Sequence, residues 1–223
     1  MYTMDNRTLK DLLYEQVARV GKALASPKRL EMIEMLAQGE KAVEVLAAEV
    51  GIDVKLASAH LKALKDARLV LARREGKRVI YKLSGQDVAS LGVNLRQVAE
   101  EHLVELQLAL RQMMAEPDRL AQVGRKELMA QARRGELVVL DVRPAQEFDA
   151  AHLPFARSMP LAELEHRIAE LPRDVEIVAY CRGPFCLMSD EAVRLLKERG
   201  YRARKTFDGV SEWQAAGLPV RAA

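Results

Sequence analysis

Cysteine is scarce in this chain, with two among 223 residues, Cys181 and Cys186. They stand five positions apart in "VAYCRGPFCLMSDEAV", residues 178–193, between an apolar run and a predicted helix start. In a reducing compartment such a pair is more often reactive or metal-binding than a structural disulfide. The stretch is therefore the first candidate for chemistry.

Long apolar runs are also lacking. None approaches the roughly 18 residues of a membrane span, and the beginning "MYTMDNRTLK" has no apolar segment typical of a signal peptide. We therefore expect the protein to remain in the cytoplasm, without a membrane partner. A chain with 49% hydrophobic and 30% charged residues can bury a core. Its 223 residues suffice for two domains of about 100 residues each.

A general excess of one charge is missing too, since 35 basic residues stand against 32 acidic ones. The basic residues are nevertheless concentrated locally. Residues 55–82 contain nine of them against only Asp66 and Glu75. Such a patch is typical of a nucleic-acid contact surface, and the alternative is an ordinary solvated face.

The first half has helical periodicity, with apolar residues three and four positions apart. Ser26 and Pro27 predict a helix start, as N-cap and first helical residue. A short helix in "EKAVEVLAAEVGID" should end at Gly51, and Asp53 should cap the next helix, "VKLASAHLKALKDARLV". Its predicted apolar stripe is Leu56, Leu61, Leu64 and Val70. Two helices joined at a glycine turn predict a helix-turn-helix.

Two β-prone runs follow in "LVLARREGKRVIYKLS", with Gly76 at the tip of a charged hairpin. Helix-turn-helix plus hairpin is a winged helix, in which the second helix can enter the major groove while the hairpin lies along the phosphates. For His60 the alternative is packing within its helix. The candidate DNA-binding residues are Lys55, Ser58, His60, Lys62, Arg73, Arg74, Lys77 and Arg78.

Three segments, "ASPKRLEMIEMLAQGEKAVEVLAAEVGI", "LASAHLKALKDARLV" and "RREGKRVIYKLS", resemble the ArsR/SmtB type of dimeric winged-helix repressors, over nearly all of residues 7–115. The resemblance implies dimerisation through the first and last helices. The last predicted helix, residues 86–115, has an apolar stripe that could serve the dimer or equally an internal core. This stripe consists of Leu91, Leu95, Val98, Leu103, Leu106, Leu110 and Met113.

Many relatives of that type sense metals, but this chain departs from their pattern. The helix "AVEVLAAEV" has no cysteine, and the last helix offers His102 with Glu101 and Glu105 but no second histidine. One histidine with two carboxylates is more typical of a surface ion-pair set than of a metal site. We therefore predict no metal site in this half.

A break at "MMAEPDRL", with Pro117, should end the long helix, and beyond it helices and strands alternate. The pattern predicts helices at "GRKELMAQARRG", closed by Gly135, at "LAELEHRIAEL" and at "SDEAVRLLKERG". The predicted strands are "ELVVLDVR", "VEIVAY" and "RARKTF". Alternation of this kind indicates a mainly parallel sheet, whose ligands meet the loops at the carboxyl ends of strands.

Cys181 lies at such a strand end, and "CRGPFC" is the loop that leads to the next helix. Ser189 is a predicted cap of that helix. Backbone N–H groups and the helix N-terminus would favour the thiolate of Cys181, and Arg182 could add a positive charge. We therefore predict that Cys181 is a nucleophile. The alternative is a buried, inert cysteine.

The segments "LDVRPAQEFDAAHLPFARSMP", "VAYCRGPFC", "EAVRLLKERGY" and "DGVSEWQAAGLPV" resemble a rhodanese domain over about residues 122–221. The resemblance implies that Cys181 accepts a sulfane sulfur as a persulfide, with amides of the loop stabilising the anionic sulfur. The loop residues between the two cysteines, besides Arg182, are Gly183, Pro184 and Phe185. The resemblance also implies structural roles for four other residues, which are Asp141, Arg143, His152 and Trp213.

One departure from this family concerns the end of the loop. Typical sulfurtransferase loops often end in a basic residue that helps bind an anionic donor, whereas this loop ends in Cys186, which argues against efficient thiosulfate turnover. Leu187 stands where cysteine phosphatases and arsenate reductases need an arginine. Cys186 could instead attack an oxidised or persulfidated Cys181 as a resolving thiol, or it could simply pack at the helix start. Two cysteines do not supply the four ligands of a zinc site.

The sequence thus predicts two domains. Residues 1–116 form a mainly α winged helix-turn-helix with a hairpin wing, for DNA binding and dimerisation. Residues 117–122 are a linker, and residues 123–223 form an α/β rhodanese-like domain with a mainly parallel sheet.

For function, the sequence predicts a homodimeric regulator of double-stranded operator DNA, without a cofactor or a metal. It senses a small sulfur donor or an oxidant at the catalytic set Cys181, Cys186 and Arg182. Two alternatives remain open: an active sulfurtransferase tethered to the DNA-binding or dimerisation domain, and a repressor with a degenerate second domain.

Overall fold

The computed structural model describes residues 5–113, 121 and 124–222. It divides into two compact units, Met1–Gly92 and Val93–Ala223. Of the predicted linker, residues 117–122, only Ala121 belongs to the described part, and Pro117 lies outside it.

The first unit begins with four helices whose ends follow local sequence signals. The carboxylate of Asp5 caps the first helix by accepting from two backbone N–H groups, and the carboxylate of Asp53 caps the fourth by accepting from the Leu56 N–H at 2.8 Å. Ser26 and Pro27 start the second helix as predicted. Gly51, at φ +66°, follows the third, a conformation that favours glycine. These helices are α1 Asn6–Leu24, α2 Pro27–Ala37, α3 Val43–Glu49 and α4 Val54–Asp66.

The wing is an antiparallel hairpin of β2 Val70–Glu75 and β3 Arg78–Leu83, turned at Gly76 with φ +59°. A two-residue strand, β1 Lys41–Ala42, pairs with the other edge of β3, so the sheet order is β1-β3-β2. Helices α3 and α4, the turn at Gly51 and this hairpin confirm the predicted winged helix-turn-helix.

One detail of the predicted α4 stripe is wrong. Leu61 and Leu64 are fully buried, but Leu56 is 44% exposed, and Ala57 is the residue that packs inward instead. Leu56 is the third residue after the cap Asp53, in the first turn of α4. Ala57, the next residue, is turned by about 100° around the helix axis and so faces the core instead.

The predicted long helix over residues 86–115 is divided into α5 Gln86–His102 and α6 Val104–Met113, with Leu103 between them. The Gln107 amide donates to the carbonyls of Glu100 and Glu101 and so satisfies groups at the break. Helix α5 starts in the first unit, and its residues from Val93 onward belong to the second. Residues 114–115 lie outside the described part.

The second unit contains a four-stranded sheet in the order β5-β4-β6-β7, and all of its neighbouring pairs are parallel. This confirms the predicted α/β class. The strands are β4 Leu137–Asp141, β5 Ala156–Ser158, β6 Glu176–Tyr180 and β7 Ala203–Lys205. The helices are α7 Arg125–Arg134, α8 Ala145–Ala150, α9 Leu161–Arg167, α10 Met188–Glu198 and α11 Val210–Ala215, with a 3-10 turn at Ile168–Glu170.

Alternate residues of the central strands face two hydrophobic clusters. Ile177 and Ala179 of β6 pack with α9 and α10, whereas Val178 and Tyr180 pack with Leu128 and Trp213 of α7 and α11. Both faces of the sheet are thus covered by helices, as expected for a parallel sheet. Three short elements, α8, β5 and α11, were not predicted, because six or fewer residues give no clear periodicity.

Candidate functional sites

Cys181 follows the last residue of β6, and α10 begins at Met188, so residues 181–187 connect the carboxyl end of a central strand to a helix N-terminus. Because β4 and β6 are parallel, this loop lies at the carboxyl ends of the strands, where ligands of such folds bind. The structure therefore brings the two cysteines and Arg182 into one loop, as the sequence predicts.

The loop backbone depends on two glycines. Gly183 has φ +150°, a conformation that side chains rarely adopt. A Cβ on Gly209 would lie 2.7 Å from the carbonyl oxygen of Cys181, so only glycine permits this approach. Solvent exposure differs along the loop. Phe185 is exposed and Pro184 half-buried, whereas Cys181 is 2% exposed.

The sulfur of Cys181 is surrounded by polar groups despite its burial. The hydroxyl oxygen of Ser189 lies 3.2 Å from Sγ, and the carbonyl oxygen of Cys186, 3.4 Å away, can accept from the neutral thiol. The predicted cap role of Ser189 is wrong, because the N-cap is Leu187 and Ser189 lies in the first turn of α10. Its hydroxyl contacts the thiol instead.

These contacts favour the thiolate of Cys181. A hydrogen bond from the Cys186 thiol is the largest cause, and with those from the Ser189 side chain and the backbone of Ser189 and Gly183 it outweighs burial and lowers the pKa of Cys181 to about 6. At neutral pH Cys181 is then mostly the nucleophilic thiolate. Arg182 is not among these causes.

Cys186 has the opposite tendency. The hydrogen bond to Cys181, burial and the negative charge of that thiolate all raise the pKa of Cys186. Both cysteines are free thiols. The pair therefore consists of a thiolate and a protonated thiol in direct contact, one suited to attack and the other to donate a proton.

The guanidinium of Arg182 is engaged with the buried carboxylate of Glu147 on α8, with its Nε 3.1 Å and 3.0 Å from the two carboxylate oxygens. Side-chain exposure is 13% for Arg182 and 4% for Glu147. The pair attaches the loop to α8. Glu147 was missed by sequence reasoning, and no local signal in "RPAQEF" distinguishes it.

Asp141 and Arg143 form a fully buried ion pair, with the Arg143 Nε 3.0 Å from a carboxylate oxygen. Burial lowers the pKa of Arg143, but the hydrogen bond and charge of Asp141 raise it overall. Tyr180 also donates to this carboxylate. His152 stacks on Phe148 with ring centroids 3.8 Å apart. These contacts, and the burial of Trp213, support the structural roles that the family resemblance implies.

The predicted DNA-binding residues lie on α4 and on the wing. His60 is half-buried, and the Ser58 hydroxyl donates to the Val54 carbonyl of its own helix at 2.8 Å. Two cations have exposed acidic partners, Lys62 with Asp66 and Arg73 with Glu40. The exposed members are Lys55, Ser58, Lys62, Arg73, Arg74, Lys77 and Arg78.

Two searches confined to the described residues concern other kinds of site. In residues 5–113, 121 and 124–222, no group of three or more His, Cys, Asp or Glu side chains could hold a metal ion. In the same ranges, no helix is both long and apolar enough to cross a bilayer.

Comparisons with known proteins match both halves of the chain. The family model described as bacterial regulatory protein, arsR family, matches residues 26–71, and that of the rhodanese-like domain matches residues 124–216. The HTH-type transcriptional regulator Rv0324 of Mycobacterium tuberculosis is 46% identical over 211 residues, 95% of this chain and 92% of the relative.

Two further relatives each match one part. A sulfurtransferase of Allochromatium vinosum is 30% identical over 86 residues, 38% of this chain and 78% of that protein. Among solved structures, a homodimeric winged helix-turn-helix DNA-binding domain from Mycobacterium bovis is 50% identical, with a TM-score of 0.42, and the match covers 47% of this chain and 95% of that one.

Proposed function

Because the chain belongs to the ArsR family of HTH-type transcriptional regulators and carries a C-terminal rhodanese-like domain, we propose that it is a dimeric repressor that senses reactive sulfur species or oxidants at Cys181. The single observation that carries the proposal is the contact between the side chains of Cys181 and Cys186 in one strand-to-helix loop, which lowers the pKa of Cys181 and raises that of Cys186. This pair can convert a transient modification into a disulfide.

With a hydropersulfide, the thiolate of Cys181 attacks the terminal sulfur and the sulfur–sulfur bond of the donor breaks. The donor leaves as a thiol, taking the proton of the transferred sulfur, and Cys181 holds a persulfide anion. The Cys186 thiol then attacks the inner sulfur of the persulfide, the Sγ of Cys181, and forms a Cys181–Cys186 disulfide. The outer sulfur leaves as hydrosulfide with the proton from Cys186.

With hydrogen peroxide, the thiolate of Cys181 attacks one oxygen, the oxygen–oxygen bond breaks and hydroxide leaves, so that Cys181 becomes a sulfenic acid. The Cys186 thiol then attacks the Cys181 sulfur, and the hydroxyl leaves with the thiol proton as water. The reactions with hydropersulfide and with hydrogen peroxide thus give the same Cys181–Cys186 disulfide. An external thiol reduces this disulfide again by exchange.

DNA binding is supported by the exposed cations of α4 and the wing. An α4 that enters the major groove would direct Lys55 and Lys62 towards DNA, while Arg74 and Lys77 at the wing tip reach phosphates. Their exposure suits contacts that release counterions.

Dimerisation is supported by large apolar side chains that remain on the surface. On α1, Tyr14 and Val17 are exposed, with 69% of Val17 accessible, and on α5 and α6 Val98 and Val104 are also exposed. Apolar side chains that recur along one helix face are typical of surfaces covered by another protein. A second copy of the chain is the partner we propose.

Fluorescence anisotropy with DNA from upstream of the protein's own gene tests the proposal. Reduced and polysulfide-treated protein are compared for wild type, Cys181→Ser and Cys186→Ser, with intact mass recorded on each sample. We expect treatment to change the wild-type dissociation constant at least fivefold and Cys181→Ser to abolish that change. Equal affinities in all samples, with Cys181 visibly modified, would contradict the proposal.

The second candidate function is a tethered sulfurtransferase, which the low pKa of Cys181 also favours. The loop ends in Cys186 rather than a cation, so turnover of thiosulfate should be slow. This candidate would be the better one if the protein turned over thiosulfate steadily with a thiol acceptor and its DNA affinity did not depend on the state of Cys181.

A further inference from the structure

Arg96 of α5 is a half-buried cation held between two carboxylates. Its guanidinium lies 2.9 Å from Glu212 of α11 and 3.0 Å from Glu100, and only 13% of its side chain is exposed. All three residues belong to the second unit, Val93–Ala223. An arginine so confined has a fixed position, unlike one on an open helix face.

The same guanidinium contacts the cysteine loop. It lies 5.6 Å from the ring centroid of Phe185, within the range of a cation–π interaction. Its Nη1 is 3.5 Å from where a Cβ of Gly183 would be. Gly183 and Phe185 both stand between the two cysteines, so any reshaping of the loop moves what Arg96 touches.

Glu212 connects Arg96 to the base of the loop. One carboxylate oxygen binds Arg96, and the other accepts the Gly209 N–H at 2.7 Å. Gly209 in turn approaches the Cys181 carbonyl so closely that no Cβ fits between them. A continuous set of contacts therefore runs from Cys181 through Gly209 and Glu212 to α5.

We propose that Arg96 is a positioning residue that transmits the state of the Cys181–Cys186 loop to helix α5. The inference rests on the proposed function, since it assumes that a modified Cys181 is the signal. Closing the disulfide draws the two sulfurs from hydrogen-bond contact to about 2 Å, and in this proposal the resulting movement of the intervening chain displaces Gly183 and Phe185. The cation–π contact is then lost and Arg96 is released or redirected.

Helix α5 is suited to carry such a change along the chain. It begins at Gln86, shortly after wing strand β3 ends at Leu83, and continues without a break to His102. A helix hydrogen-bonded over this length transmits a change at one point to its neighbouring turns. Release of Arg96 should therefore loosen the backbone around it, which amide hydrogen exchange detects.

The test follows amide exchange of residues 93–102, DNA affinity and intact mass in reduced and peroxide-oxidised full-length protein. The variants are Arg96→Ala, Arg96→Lys and Phe185→Leu, and Arg194→Ala, an exposed arginine on α10, is the matched control. Phe185→Leu removes the ring contact while keeping the Arg96–Glu212 ion pair, so it remains informative if Arg96→Ala folds poorly.

In wild type and Arg194→Ala we expect oxidation to speed exchange in residues 93–102 at least threefold. In Arg96→Ala, Cys181 should be oxidised as fast as in wild type, while the oxidation-dependent changes in exchange and DNA affinity disappear. Phe185→Leu should weaken both changes, and Arg96→Lys should restore only part of them, because an ammonium lacks the planar fork.

Two results overturn the inference: an unchanged exchange rate in oxidised wild type, or wild-type responses in both Arg96→Ala and Phe185→Leu. If exchange responds through Arg96 but DNA affinity never changes, the inference stands and the proposed function fails. If exchange and DNA affinity both respond to oxidation in Arg96→Ala and Phe185→Leu as in wild type, the proposed function stands and the inference fails.

Discussion

The basic surface of α4 and the wing, residues 55–78, and the cysteine loop, residues 181–187, use the same kinds of charged residue in opposite ways. On the basic surface, Lys62 and Asp66 pair with 75% and 61% of their side chains exposed. At the loop, Arg182 and Glu147 pair with 13% and 4% exposed. Exposed pairs are weak and exchange partners easily, whereas buried pairs cannot lose one member without leaving a charge unsolvated. One surface is suited to bind and release phosphates, and the other to hold a geometry.

The largest expected effect comes from breaking a buried pair in the second unit. Asp141→Ala leaves the fully buried Arg143 without its carboxylate, so we expect a loss of about 3–5 kcal/mol in the free energy of unfolding. Urea unfolding followed by the fluorescence of Trp213, the single tryptophan of the chain, measures it.

The matched control is Asp66→Ala, which breaks the exposed pair with Lys62. Exposed pairs contribute about 0.2–1 kcal/mol, so stability should hardly change. Circular dichroism follows this variant, since the tryptophan lies in the other unit. Equal losses in the two variants would contradict the comparison.

The next effect concerns the thiolate. Because Cys181 has a pKa of about 6, its alkylation rate by iodoacetamide should rise with pH and reach half its maximum near pH 6. Cys186→Ala removes the largest stabilising hydrogen bond, worth about 1.5–3 kcal/mol for a charged acceptor, so the midpoint should rise by about one to two pH units.

Cys186→Ser serves as its control, since a hydroxyl can still donate to the thiolate and the midpoint should move less. Mass spectrometry at Cys181 gives the rates. An unchanged midpoint in Cys186→Ala would show that the neighbouring thiol does not activate Cys181.

A smaller effect, on DNA affinity and its salt dependence, is expected when cations of the wing are removed. Arg74→Ala combined with Lys77→Ala should weaken DNA binding and reduce the slope of log affinity against log salt by about two, one for each phosphate contact. Arg194→Ala combined with Lys197→Ala removes the same charge from exposed positions of α10 and should leave the slope unchanged. Equal slopes in both double variants would argue against contacts by the wing.

Local signals account for what could be predicted from the sequence. Pro27, Asp53 and Gly76 act within a few residues, as a proline at a helix start, a cap and a turn residue, and the structure has helices and a hairpin there. Cys181 was located because an apolar strand and a helix start bracket it, which fixes its place in a parallel sheet.

The partners of the site could not be predicted in this way. Arg182 meets Glu147 across 35 positions and Arg96 meets Glu212 across 116, and only the folded chain brings them together. Ser189 has an ambiguous signal, because a serine at a helix start is usually read as a cap. Because Leu187 is the N-cap, the hydroxyl of Ser189 is not used for capping and contacts the thiol of Cys181.

The most direct test of the central claim, that loop chemistry and DNA binding are coupled, is the reduction potential of the Cys181–Cys186 disulfide with and without operator DNA. Coupling is reciprocal, so a fivefold difference in DNA affinity between the two redox states requires a difference of about 20 mV. We predict that DNA shifts the potential by at least that amount. The control variant Arg194→Ala, which changes an exposed arginine outside the cysteine loop, should show the same shift. The same potential in free and DNA-bound protein would contradict the account.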